Sequence, residues 1–161
     1  MIAQRTFAFK RDQRGAALAE SAIAIPLILV VFATIFSFGS TLFNTQVLET
    51  AARDAARYLA HTSTTATDEA TARNIAVYAN AAGTGTARVR GLTTGGVGIS
   101  YVSVSNPTNA MTGERAYRGP DPLKVVRVEI SWTAPASGMW GLFGVSPITY
   151  HAVNQERVIG D

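Results

Sequence analysis

The sequence predicts an α+β protein in which one long N-terminal helix packs on a small antiparallel sheet, with a second short helix beside it. Two patterns lead to this class. No charged residue occurs between Glu20 and Glu49, and apolar residues continue beyond Glu49 at the spacing of a helix. Further along, Lys124–Thr133 alternates apolar and polar residues as a half-buried strand does, and residues 97–105 and 148–158 show similar patterns.

The uncharged run is long enough to cross a membrane as a helix. A bilayer core of about 30 Å needs about 20 apolar residues, so we expect the span at about residues 21–43. Short basic segments beside a span stay on the cytoplasmic side, and four basic residues precede this one: Arg5, Lys10, Arg11 and Arg14. We therefore expect residues 61–161 to form a small domain beyond the membrane. A secretory signal peptide is the alternative, but its apolar core would be shorter, at about 7–15 residues.

Glu20 is a carboxylate inside this apolar run. A charge at the centre of a span costs about 2.5–3.5 kcal/mol, and less near the interface. Glu20 lies only about 7.5 Å along the helix from Gly15. It could therefore reach the headgroups, take a proton, or have a polar partner at that depth.

Gly15, Ala16 and Glu20 form the pattern G-x-x-x-x-E at the boundary between the basic segment and the span. This pattern resembles the cleavage site of type IV prepilins. The longer stretch RGAALAE at 14–20, with IPL at 25–27, Phe38-Gly39, and LETAARDAAR at 48–57, is similar to the TadE-like family, the minor pilins or pseudopilins of tight-adherence (Flp) pili. Ser21 after the glutamate, and serines on both sides of Phe38-Gly39, depart from the usual family pattern.

The resemblance implies a pilin-like fold, processing by a peptidase and assembly with other subunits. A prepilin peptidase would remove the leader, residues 1–15, by cutting after Gly15. The mature long helix, residues 16–60, would begin at Ala16, and Glu20 would neutralise an amino terminus during assembly. The implied partners are this peptidase, other pilin subunits and pilus assembly proteins of the bacterial inner membrane. The alternative is an uncleaved single-span protein that presents an adhesion or scaffold domain.

Pro26, Phe38 and Gly39 are the further positions that we associate with helix packing. Pro26 removes one backbone hydrogen bond inside the span. It either marks a bend used when helices pack, or is a kink that neighbouring helices tolerate. Phe38 and Gly39 enter through the family resemblance, at the far end of the span.

Beyond the span, the helix is expected to continue to about Leu59, with small and apolar residues on one face and Glu49, Arg53 and Arg57 on the other. The apolar stripe is expected to pack on the protein's own domain. A second helix is predicted from about Glu69 to Ala82, capped by Asp68 or Thr67 and stopped by Gly83.

No residue set predicts an enzyme, a metal site or a cofactor. The formal net charge of +3 comes from the leader, so nucleic acid is not an expected partner. Neither His61 nor His151 has an acid at metal-ligand spacing. Asp121 either binds calcium with nearby oxygens or belongs to a turn, and the turn is favoured. Four arginines form a basic patch or are solvated loop charges: Arg88, Arg90, Arg115 and Arg118.

Met139, Trp140 and Phe143 form the best candidate partner surface outside the span. Exposed methionine and aromatic side chains in a loop are typical of contact sites. The same residues commonly close the end of a small core, and that interpretation is favoured here.

Overall fold

A computed structural model gives the structure and describes residues 13–135, 144 and 147–159. Its elements follow the order predicted from the sequence and confirm the α+β class. Within these residues, a long helix is followed by a shorter one, a single 3-10 turn (Thr94–Gly96) and three strands. Their bounds are α1 Gln13–Ala60, α2 Ala66–Tyr78, β1 Val97–Val104, β2 Leu123–Thr133 and β3 Thr149–Arg157.

The three strands form an antiparallel sheet with β2 in the middle. Because side chains alternate along a strand, Val126, Val128, Ile130 and Trp132 share one face of β2, as predicted, and all four are buried. The opposite face carries Arg127, Glu129 and Ser131, which are only partly buried. The sheet therefore has one apolar face and one polar face.

The second half of α1 covers the apolar face of the sheet and also contacts α2. Four fully buried alanines lie there between Leu48 and Leu59: Ala51, Ala52, Ala55 and Ala56. Alanine lets the helix backbone approach its neighbours closely, and Glu49, Arg53 and Arg57 remain exposed on the opposite side. The prediction that this stripe packs on the protein's own domain is confirmed.

Helix α2 differs from the prediction at both ends. Its N-cap is Thr65, not Thr67 or Asp68. The Thr65 hydroxyl accepts a hydrogen bond from the Asp68 N–H, and the Asp68 carboxylate accepts one from the Thr65 N–H. This reciprocal pair is a capping box, so the helix starts at Ala66. It ends at Tyr78 instead of Ala82 because Ala79 adopts a left-handed conformation (φ 61°).

The loop between β1 and β2 is organised by one buried side chain, Asn106. Its amide group donates to the Tyr117 carbonyl (2.7 Å) and accepts from the Tyr117 N–H (3.1 Å). Its backbone N–H donates to the Asp121 carboxylate (2.8 Å). Asp121 thus fastens a loop, as the turn interpretation predicts. Among the residues that the structure describes, no three acids or histidines lie close enough to hold a metal ion.

Candidate membrane and assembly helix

Helix α1 has two halves with opposite surroundings. Every residue from Gly15 to Phe36 is exposed, whereas the buried residues of the helix begin at Leu48. Between them, five residues are partly covered: Ser37, Thr41, Asn44, Thr45 and Val47. The 48-residue helix is about 72 Å long at 1.5 Å per residue. Its first half therefore extends well beyond the folded domain.

The projecting half is apolar all round its circumference. Leu18, Ile23 and Phe36 are exposed by 71%, 76% and 80%. It is the one helix, within the described part of the chain, that is long and apolar enough to cross a membrane, and none of its most apolar segment is buried. The core helix of a soluble protein would bury such residues against its own domain. The exposure of this half indicates association with a membrane.

The hydroxyl groups in this half are compatible with an apolar surrounding because the helix itself satisfies them. The Ser21 hydroxyl donates to the Ala17 carbonyl (2.8 Å), and the Thr34 hydroxyl donates to the Val30 carbonyl (2.8 Å). Near the domain, the Thr41 hydroxyl donates to the Ser37 carbonyl (3.0 Å). These groups therefore need no partner from outside.

Glu20 differs from these hydroxyl groups. It is the only charged residue from Gly15 to Leu48. Its side chain is exposed and forms no hydrogen bond or ion pair with any residue that the structure describes. An acid among apolar side chains has to be neutralised or paired. Any ionic partner for Glu20 must therefore lie outside the residues that the structure describes.

The other predicted positions on α1 are also open to the surroundings. The helix continues through Pro26 without a break, although Pro26 cannot donate to the Ala22 carbonyl. Phe38 is exposed by 61%. A side-chain carbon added at Gly15 or at Gly39 would meet nothing within 4 Å. Packing inside the protein therefore explains none of these residues.

The predicted positions on α1 are distributed along the helix, not gathered into one pocket. Gly15, Ala16 and Glu20 lie within its first turns, whereas Phe38 and Gly39 lie at the far end of the apolar half. The predicted partner surface of Met139, Trp140 and Phe143 lies outside the described residues. Within the described part of the chain, the predicted positions therefore lie along one exposed helix and do not line a pocket.

A serine, a histidine and an acid lie together on the polar face of the sheet without forming a catalytic relay. The Ser131 hydroxyl is 3.0 Å from Nδ1 of His151, and the Glu129 carboxylate is 3.5 Å from the same nitrogen. A serine–histidine–acid relay uses both ring nitrogens, one toward the serine and the other toward the acid. Here both contacts converge on one nitrogen.

Two of the four loop arginines have partners that the sequence pattern did not reveal. Arg88 forms an ion pair with Asp54 of α1 at 2.7 Å and is largely buried. Arg115 donates to the Gly119 carbonyl at 2.7 Å. Arg88 and Asp54 are 34 positions apart, so only the fold brings them together. The capping box of α2, by contrast, could have been read from the Thr-x-x-Asp sequence.

Comparisons with known proteins bear on this helix alone. Neither the curated proteins nor the solved structures gave a match to the chain. A family match begins at Gly15 and ends at Arg57, so it covers the exposed half of α1 and most of the packed half, and none of the sheet. This family is associated with tight-adherence pili. Residues 15–57 match the TadE-like protein family, which confirms the resemblance noted in the sequence.

Proposed function

We propose that the protein is a TadE-like minor pilin or pseudopilin that is held in the bacterial inner membrane by the exposed half of α1. A prepilin peptidase cuts after Gly15, and the mature protein then takes part in assembling or priming a tight-adherence pilus. Its role is structural, not catalytic. The observation that carries the proposal is the acid Glu20, which has no partner among the described residues and lies on the otherwise apolar, exposed half of α1.

The position of the cleavage site in the helix supports processing. The bond between Gly15 and Ala16 lies directly after the basic residues and directly before the apolar run of α1. The basic leader keeps the site on the cytoplasmic side, and the sheet domain lies on the other side of the membrane.

Cleavage also creates a partner for Glu20. The new amino group of Ala16 carries a positive charge at neutral pH. It lies on the same helix end or on that of an adjacent subunit. An ion pair is strong where packed helices or lipid exclude water. Glu20 thus links processing to helix packing, and the surface from Glu20 through Pro26 to Phe38 and Gly39 supplies the contact with other pilin subunits.

The alternative is an uncleaved anchor that presents the sheet domain for adhesion or scaffolding. The uninterrupted helix from Gln13 to Ala60 suits this function as well. The mass of the protein extracted from its native membrane distinguishes the two. Processing removes fifteen residues and leaves Ala16 as the N-terminus. A native protein that retains Met1 would contradict the proposed function.

Glu20→Ala tests the role of the acid. We expect this variant to insert into the membrane normally and to lose most pilus assembly, because the amino terminus has no counter-charge. Glu20→Gln separates charge from hydrogen bonding and should fail similarly. Ser21→Ala is the matched control because Ser21 lies next to Glu20 and bonds only within the helix. Normal piliation of the Glu20→Ala strain would refute the assigned role.

A further inference from the structure

Helix α1 packs against β3 and β2, and the contacts at its last residue show how the sheet is oriented along it. Just after β3, the Ile159 N–H donates to the Ala60 carbonyl at the end of α1 (2.8 Å). The start of β2 lies at the same end, because Nζ of Lys124 donates to the Thr64 hydroxyl (2.6 Å). The opposite end of the sheet, the β2–β3 end (residues 133–135 and 147–149), therefore lies toward the exposed half of α1.

Two lengths place the β2–β3 end at the boundary of the membrane span. From Thr149 to Ile159 the chain extends about 33 Å at about 3.3 Å per residue. For a strand parallel to the helix, the same distance back from Ala60 is about 22 residues of α1 and leads to about position 38. The partly covered residues of α1 begin there, at Ser37. A span of about 20 residues that begins after Glu20 ends at about position 40. The β2–β3 end is thus level with the outer boundary of the bilayer core.

The chemistry of the β2–β3 end suits contact with a bilayer. No Asp, Glu, Lys or Arg occurs between Glu129 and His151. Ile148 is exposed by 55%. The Ala134 N–H donates to the Ile148 carbonyl (3.0 Å), so the backbone of this residue is held by the sheet. This end therefore presents an exposed apolar side chain on a fixed backbone, with no charge that would have to leave water.

One cation lies beside the β2–β3 end. Nε1–H of Trp132 donates to the Arg90 carbonyl (3.0 Å), which fixes Arg90 next to the last residues of β2. The Arg90 side chain is exposed and forms no hydrogen bond or ion pair with any residue that the structure describes. Arg88, by contrast, is paired with Asp54. A guanidinium group at this level matches the phosphate groups of lipid headgroups.

The other end of the sheet carries charges of both signs. The connection between β1 and β2 leaves the sheet there and contains four charged residues: Glu114, Arg115, Arg118 and Asp121. Met111 in the same connection is almost fully exposed. Charges of both signs favour contact with water. The two ends of the domain therefore differ in the direction that the membrane location of α1 requires.

We propose that the β2–β3 end contacts the outer phospholipid surface of the membrane that α1 spans. Ile148 reaches the top of the acyl chains, and Arg90 binds headgroup phosphates. This inference rests on the membrane location in the proposed function. A domain joined to the membrane by one helix can tilt about that helix. The second contact holds the domain in one orientation on the bilayer.

The test measures how close single positions are to lipid. The natural chain has no cysteine, so one fluorescent label can be attached to the full-length protein through one new cysteine. The protein is placed in vesicles of phosphatidylethanolamine and phosphatidylglycerol, with a lipid that carries a quencher at the top of its acyl chain. We expect the label on Ile148→Cys to lose most of its fluorescence. The label on Met111→Cys, at the opposite end of the sheet, should lose none.

Two further measurements complete this comparison. Thr93→Cys is exposed on the segment between Arg90 and β1, and its label should show a loss between the other two. Iodide in the water should give the reverse order, with strong quenching at position 111 and little at position 148. Val31→Cys reports on the span because Val31 is exposed near its middle. Its label should be quenched by a lipid that carries the quencher deep in the acyl chain.

A matched pair of variants tests the cation. Arg90→Glu reverses the charge, whereas Arg90→Lys keeps it, and both are made in the Ile148→Cys background. One basic residue near an anionic surface favours binding about fivefold. We therefore expect Arg90→Glu to lower the ratio of contacting to free domains at least about fivefold, which the lipid quenching at position 148 reports. Equal quenching in the two variants would overturn the role of Arg90.

Other results would overturn the contact itself. One is equal lipid quenching at positions 148 and 111. Another is a label at position 148 that is protected from iodide but not quenched by lipid, because protein would then cover this end. An unquenched label on Val31→Cys refutes the membrane location in the proposed function. A quenched Val31→Cys label with an unquenched Ile148→Cys label refutes this inference alone.

Discussion

The close packing of α1 on the domain predicts a large effect for one added side chain. Ala55 is fully buried within the stripe of four alanines. Ala55→Leu adds three carbon atoms where the helix backbone approaches its neighbours. Overpacking of a filled core costs about 1–3 kcal/mol. For a domain of this size, each kcal/mol lowers the melting temperature by about 4–8 °C.

Thermal unfolding of the full chain in a mild detergent measures this effect, with near-ultraviolet circular dichroism reporting on buried Trp132. We expect Ala55→Leu to lower the melting temperature by about 4 °C or more. Ala24→Leu is the matched control because it makes the same change on the same helix, at an exposed position of the apolar half. If both variants had the same melting temperature as the wild type, the helix could not be packed against the domain as described.

Two further predictions concern the domain. Hydrogen bonds from the Thr65 side chain and backbone lower the pKa of Asp68 below its ordinary value of 3.8. The ionised Asp68 carboxylate therefore stabilises the fold above pH 3.8, and this stabilisation is lost as the pH falls through the lowered pKa of the folded protein. The stability difference between wild type and Asp68→Asn should therefore be constant from pH 5 to 7 and shrink in acid; a difference that persists at the lowest pH would contradict this. Asn106→Ala should raise amide exchange at Tyr117 about tenfold or more, because a lost buried partner costs about 1–3 kcal/mol; unchanged exchange would show that Asn106 does not hold the loop.

The elements of this protein could be predicted from local patterns. In α1 the apolar residues recur at helical spacing, and in β2 apolar and polar residues alternate. Both patterns arise because a regular backbone turns side chains to the same face at a fixed interval along the sequence. The boundaries of α2 are harder to predict from the sequence. Thr65 and Thr67 can both act as an N-cap residue, and the choice depends on which hydroxyl lies close to a free backbone N–H. The end of α2 likewise depends on the left-handed backbone conformation of Ala79. The spacing of apolar residues along the sequence does not predict this conformation.

The sequence by itself determined that an apolar helical run follows Gly15 and that Glu20 is its one charged residue before Glu49, because length, charge and spacing along a single helix are properties of neighbouring residues. Only the tertiary structure decided which part of that helix is covered and which is exposed. It also paired Asp54 with Arg88 and gathered the loop around Asn106. These features join residues that are distant in the chain, so their geometry exists only when the sheet and helices have packed together.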